Sequence, residues 1–199
     1  MIVGIILSAG ESKRMCPPKQ LLPWGKTIML QKVIENADTS RLGHVLVVLG
    51  HPSDEIAAKI MTSSKKTRIL VNHDFRAGMS SSIKLGIKNA PADAEAFMLL
   101  PGDQPFISVN IIDQLIDSYR AGGHGIVIPV YDGRRGHPVI LDLRYGEELL
   151  SISDQGAREV VKKHARDIFE VCINSPNVLN DIDKPKNYQE AKKQDGEQQ

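Results

Sequence analysis

Cysteine is almost missing from this chain. Cys16 and Cys172 are the only two in 199 residues, far apart and without His or Cys companions at the spacings that zinc sites use. Neither a disulfide framework nor a structural metal is therefore expected, and a reducing, cytoplasmic setting fits best. An excess of one charge is missing as well. The 25 basic and 24 acidic residues leave a formal charge of +1 and are mixed along the chain, so no basic face for nucleic acid is expected. Long hydrophobic runs are absent too. The apolar N-terminus is too short to span a bilayer, has no basic segment before it and leads into charge rather than a cleavage site, so neither a membrane span nor a leader is expected. There is no internal repeat and no low-complexity linker.

What the chain does have is 41% apolar residues, enough at this length for one substantial core. A single domain is expected over residues 1–192, with a disordered polar tail over 193–199. Residues 2–7 form a β-branched and aliphatic run broken only by Gly4, as in a strand covered on both faces, and Gly10 ends it where a bulkier residue would crowd the turn. Thr27 is placed to cap a helix with Leu30, Val33, Ile34 and Ala37 on one face. Residues 45–49 read as a second buried strand ending at Gly50, and Ser53 opens a helix facing Ile56 and Ile60 inward. Residues 69–71 make a third strand, and residues 97–100 a fourth, entered from a helix around Ile83 and Ile87. The alternation predicts right-handed crossovers and a largely parallel sheet.

A helix from about Ser108 carries Ile111, Ile112, Leu115, Ile116 and Tyr119 on one side and stops at Gly122 and Gly123. Residues 126–128 and 139–141 flank Asp132 and Gly133, a hairpin signal that makes the sheet mixed. Residues 155–165 read as a helix and 168–173 as a strand. Pro185 opens a last short helix.

Two phosphate-binding motifs fail. Gly25-Lys26-Thr27 lacks a glycine at position 20 for a P-loop, and no G-x-G-x-x-G follows the first strand, so neither a P-loop enzyme nor a dinucleotide-fingerprint dehydrogenase is indicated. What remains is a loop of small residues, Ser8, Ala9 and Gly10, whose amides can approach phosphate, with Arg14 and Lys19 to neutralise it. Lys13 reads as solvent-facing. Asp103, held between prolines at a strand end, is the best single candidate for a Mg²⁺ ligand. In an extended segment Asp181 and Asp183 point the same way and offer a second carboxylate, unless they only cap a helix before Pro185. The stretch from Gly78 to Ser82 is a polar, amide-rich helix start suited to ribose or base contacts; N-capping explains one of its serines without any ligand. His137 stands where it can reach a pocket rim, although a lone histidine is more often structural. Trp24 either packs over the first loop or contacts substrate.

The chain closely resembles the MobA-like nucleotidyltransferases, and within them the molybdenum cofactor cytidylyltransferases. The resemblance is carried by Leu7-Ser-Ala-Gly-Glu-Ser-Lys-Arg-Met15 with Lys19, Gly78-Met-Ser-Ser-Ser82, Pro101-Gly-Asp-Gln-Pro105, Gly136-His-Pro-Val139, Gly156-Ala-Arg158 and Asp181-Ile-Asp-Lys-Pro185. It implies a three-layer α/β/α, Rossmann-like fold with a mixed, mostly parallel sheet. It also implies transfer of CMP from CTP to the terminal phosphate of molybdopterin or its molybdenum-loaded form, with release of pyrophosphate. The site expected on this basis holds the nucleotide with Leu7, Ser8, Ala9, Gly10, Arg14, Lys19, Ser80, Ser81 and Gly102. It holds Mg²⁺ with Asp103, Asp181 and Asp183, and the acceptor with His137 and Pro138; Lys19, Arg14 and Asp103 carry the chemistry. Ala9 favours CTP, because guanylyl-transferring relatives tend to carry a second glycine there. The chain departs from the pattern at Cys16, which replaces a glycine, and at Ser8, which replaces a common alanine. A Cβ at position 16 restricts a loop that needs positive φ, which bears on phosphate affinity rather than on reaction type. Rival readings are GMP transfer to molybdopterin, NMP transfer to a sugar or alditol phosphate, and a non-catalytic module delivering cofactor to a molybdenum hydroxylase client.

Overall fold

The computed structural model describes residues 1–10, 18–62, 64–153, 155–182, 186–189 and 192. Its elements in chain order are β1 (Ile2–Ser8), β2 (Pro23–Trp24), β3 (Thr27–Ile28), α1 (Met29–Thr39), β4 (His44–Leu49), α2 (Ser53–Ala57), β5 (Thr67–Val71), α3 (Met79–Lys88), β6 (Ala96–Pro101), α4 (Val109–Arg120), β7 (Ile126–Tyr131), β8 (Arg134–Arg135), β9 (Val139–Asp142), α5 (Gly146–Ser151), α6 (Arg158–Lys163) and β10 (Ile168–Cys172). Alternation along β1 sorts its side chains between two cores. Ile2 and Ile6 join α1, α2 and α4 on one face, whereas Val3 and Ile5 join α3, α5 and α6 on the other. Buried on both faces, β1 can be almost continuously aliphatic and still be a strand.

The main sheet runs β10-β7-β9-β6-β1-β4-β5, with β8 paired to β7. β1 is parallel to both β4 and β6, β4 to β5, and β7 to β10. Only β8 and β9 run the other way, β9 lying antiparallel to both β6 and β7. The expected α/β/α layers and mixed, mostly parallel sheet are therefore present. Asp132 and Gly133 both have positive φ, 49° and 69°, which is what a tight two-residue hairpin demands. The strand they turn into is β8, and β9 follows it.

Several local expectations are corrected. Thr27 lies in β3 rather than capping α1, where Ile28 is the N-cap without a side-chain bond; pairing of Trp24 with Thr27 across Gly25 claims it for a ladder. Helix α2 ends at Ala57, so Ile60 packs on the core from beyond it. The helix expected over 155–165 is cut to Arg158–Lys163, preceded by Gly156 at φ 63°, and α5 was not foreseen at all. Ser108 does cap α4, accepting from the Ile111 amide. Residues 186–189 are helical, whereas Pro185 and the 193–199 tail lie outside the described residues. No helix among the described residues is long and apolar enough to cross a membrane.

Helix α3 lies flush on β1 because Gly86 has no side chain. A Cβ there would stand 2.6 Å from Ile5 Cγ2 and 2.9 Å from Ile5 Cδ1. Gly86→Val is expected to push α3 off the sheet and lower stability by about 1–3 kcal/mol. A shift in the urea midpoint checks it; an unchanged midpoint would contradict the packing.

Candidate functional site

The site begins with strand register. Leu7 pairs with Pro101 across the parallel β1–β6 ladder, and the Gly102 amide extends it with a 3.0 Å bond to the Leu7 carbonyl. Gly102 is required here. A Cβ would lie 2.7 Å from Ser8 Cβ, so any other residue would force apart the two loops that leave these strands. Asp103 follows directly, beside the end of β1.

Both loops are pinned from behind. Gln20 is buried and donates to the carbonyls of Ser8 (3.3 Å) and Gly10 (3.1 Å), folding the single turn Lys19–Leu21 back against the end of β1. On the other side, Asp103 O accepts from the Ile182 amide at 3.3 Å, and the buried Gln104 side chain donates to Asp181. Ile182 is itself anchored in a small apolar cluster with Leu22, Trp24, Met29 and Tyr188. Trp24 packs edge-on against Phe106 at 5.1 Å and is 3% exposed, so it is buried beneath the Asp103 loop; residues 11–17 of the first loop, over which it was expected to pack, lie outside the described residues.

These constraints bring Lys19 onto Asp103, the ammonium Nζ donating to Oδ2. The two side chains are only 19% and 17% exposed, so their charges are poorly screened by water. They stand in a cleft of about 540 Å³. Its floor is the upper end of the second core, with Leu7, Ile83, Leu99, Val139 and Val161; Arg158 and Lys162, one turn apart on α6, bring positive charge to its lining.

Of the residues expected from the sequence, Leu7, Ser8, Gly10, Lys19, Gly102, Asp103 and His137 line this one cleft. Others lie elsewhere among the described residues. Ala9 is buried in the core, its carbonyl 2.3 Å from where a Cβ on Gly50 would be. Ser80 is buried, and Ser81 donates to Gly78 O and accepts from Asn72, which also bonds Ser82; these serines tie α3 to the end of β5, and Met79 is what α3's first turn shows to the cleft. Pro138 is buried beneath the rim, and Asp181 is exposed with its carboxylate on Gln104. Arg14 and Asp183 lie outside the described residues, as do Lys13 and Cys16. Gln20, Arg158 and Lys162 were missed. Two basic residues at i and i+4 next to the Gly156-Ala-Arg158 motif were the available signal.

His137 is held by its own amide, which donates to Val178 O at 2.9 Å. Gly136 beside it admits no Cβ, which would lie 2.2 Å from that same carbonyl. The ring Nδ1 is sealed from solvent and has no partner among the described residues. Burial pushes the imidazole below its ordinary value, opposed by Asp181, reinforced by Arg158 and opposed again by Asp103. Asp103 also suits a metal. It presents a hard oxygen donor, and the ammonium seated on it indicates that the position accepts a cation. No group of three or more His, Cys, Asp or Glu side chains gathers to hold a metal among the described residues. Mg²⁺ here would take its remaining oxygens from phosphate and water, as it commonly does. In sum the cleft offers a cation site, an anion-attracting wall and an apolar floor.

Comparison with known proteins gives the family. The model of the MobA-like NTP transferase domain matches residues 4–168. The chain is 31% identical over 172 residues to the nicotine blue oxidoreductase of Paenarthrobacter nicotinovorans, covering 81% of this chain and 82% of that protein. It is 26% identical over 192 residues to the molybdenum cofactor cytidylyltransferase of Escherichia coli K12, covering 94% of each. Among solved structures, a homologue of Mycobacterium tuberculosis Rv0371c from Mycobacterium sp. strain JC1 superposes with a TM-score of 0.86 at 25% identity, covering 100% of this chain and 98% of that one.

The depressed His137 value sets a pH dependence. An unfolded histidine titrates near pH 6.5, so between that value and the lower folded one the unfolded chain binds a proton that the folded chain refuses. The contribution is complete above about pH 6.5 and is lost as pH falls from there toward the folded value. Denaturant midpoints followed on acidification are expected to fall more steeply for the wild type than for His137→Asn. Parallel curves would count against a buried neutral ring.

Proposed function

The chain belongs to the MobA-like NTP transferase family and is a nucleotidyltransferase of that family, and from this premise we propose that it moves CMP from CTP to the terminal phosphate of molybdopterin or its molybdenum-loaded form, releasing pyrophosphate. The observation that carries the reading is the Lys19–Asp103 pair at the adjoining ends of β1 and β6, in a cleft whose α6 lining is basic. Nucleotidyl transfer asks for little else: positions for two phosphates, a cation between them, and charge to meet what builds on the leaving oxygens.

In this reading an acceptor phosphate oxygen attacks the α-phosphorus of CTP in line. The new P–O bond forms as the α–β bridge breaks, and no covalent enzyme intermediate is needed. Lys19 and Arg14 hold the triphosphate as it becomes pyrophosphate. Arg158 and Lys162 hold the acceptor's phosphate over the apolar floor, which suits a flat heterocycle better than a polyhydroxy chain. Asp103 would hold Mg²⁺, with Asp183 as the expected second carboxylate while Asp181 stays on Gln104 and fastens the loop; when bound, the ion neutralises charge on the phosphate oxygens. The acceptor phosphate is already ionised, so His137 is not needed as a base and instead borders the acceptor. Ala9 in place of a second glycine, together with likeness to the cytidylyltransferase over 94% of both chains, supports CTP over GTP.

Likeness to the nicotine blue oxidoreductase raises oxidoreduction as a second reading. Against it stand the missing glycine fingerprint and a charge pair suited to phosphates.

Incubation with each of the four nucleoside triphosphates, Mg²⁺ and molybdopterin, with product mass and pyrophosphate as readouts, is expected to give a CMP-linked product. Exclusive GMP transfer would overturn the base assignment, and no transfer with any nucleotide would overturn the reading. Asp103→Asn is expected to slow turnover by about 10²- to 10³-fold. Arg158→Ala is expected to raise KM for the acceptor by about tenfold, the size of one lost charge-assisted bond, with kcat changed less.

A further inference from the structure

Resting on that reading, we propose that Lys19 is a resident counter-ion. It keeps a divalent cation off Asp103 until a polyphosphate draws the ammonium away, so that metal and nucleotide bind with positive coupling. The contact itself is the first ground. Lys19 Nζ sits directly on Asp103 Oδ2, and both side chains are more than four-fifths covered. A cation arriving alone meets a carboxylate that is already neutralised, and a like charge against it in a poorly screened place.

The donor inventory is the second ground. The described residues gather no cage of three ligating side chains that could outbid the ammonium. Asp103 is the one carboxylate among the described residues lining the cleft, so a metal that arrives with phosphate oxygens brings most of its own coordination shell.

The third ground is the way Lys19 is mounted. Its turn is fastened to the end of β1 by the Gln20 bonds to Ser8 and Gly10, so the backbone stays while the flexible four-carbon side chain can swing. The same cleft lining holds Ser8 and Gly10, on the loop expected to face phosphate. The ammonium thus exchanges one anion for another without leaving the site. By linkage, whatever factor the polyphosphate adds to metal affinity, the metal adds to polyphosphate affinity.

Mn²⁺ alone, followed by the electron paramagnetic resonance signal of the free ion, tests this without any nucleotide. Lys19→Gln and the apolar Lys19→Met are both expected to bind Mn²⁺ about tenfold or more tightly than the wild type, the order of effect that removing one adjacent unit charge allows. Lys19→Arg keeps the charge and is expected to stay as weak as the wild type. Adding Asp103→Asn to Lys19→Gln is expected to abolish the gain. Equal Mn²⁺ affinity in the wild type and both neutral variants would overturn the proposal, as would a gain that survives loss of Asp103. Because no nucleotide or acceptor is present, failure here leaves the transfer reading standing, and failure of the four-nucleotide experiment leaves this result standing.

Discussion

The site depends on one pairing, that of β1 with β6 in parallel register. Because Leu7 faces Pro101 and the Gly102 amide carries the ladder one step further, the loops leaving the two strands start side by side. Two parallel strands end at the same edge of a sheet, and a ligand crevice outside that edge is the usual outcome in such folds. Here the register does more. It sets Asp103 one residue past the ladder, within reach of a lysine fixed by Gln20, and it requires a glycine at 102 because Ser8 occupies the space a side chain would need. A shift of one residue in the pairing would turn Asp103 toward the opposite face and separate the charges.

The strands were readable from sequence because strands buried on both faces are written as nearly continuous apolar runs, and β1, β4 and β6 all fit that description. Short helices were not. α5 spans Gly146–Ser151 and buries only Gly146 and Leu149, too few positions for a periodic signal. Thr27 misled because a threonine serves a helix cap and a strand equally well. Asp103 stood out by its setting, a carboxylate between prolines at a strand end. Arg158 and Lys162 did not, since a pair of basic residues on a short helix reads as a solvated face. Only the packing of α6 across the end of the second core gives them something to face.

The serines after Gly78 teach a similar lesson. Their polarity was a sound reason to expect ligand contacts, yet a buried Asn72 claims two of them. Polar groups at a helix start have backbone and side-chain partners to satisfy first. What the sequence could not reveal was which partner lay nearer, the asparagine that follows β5 or an incoming ribose.

The loop that bears Asp103 is fastened by residues from far along the chain: Ile182 bonds its backbone, Asp181 takes its glutamine, and Tyr188 helps to fill the cluster beneath. During synthesis, β1 and β6 emerge and can pair long before those anchors exist. The corner that bears Asp103 is thus completed only by residues from 181 onward, well after the two strands that set its register.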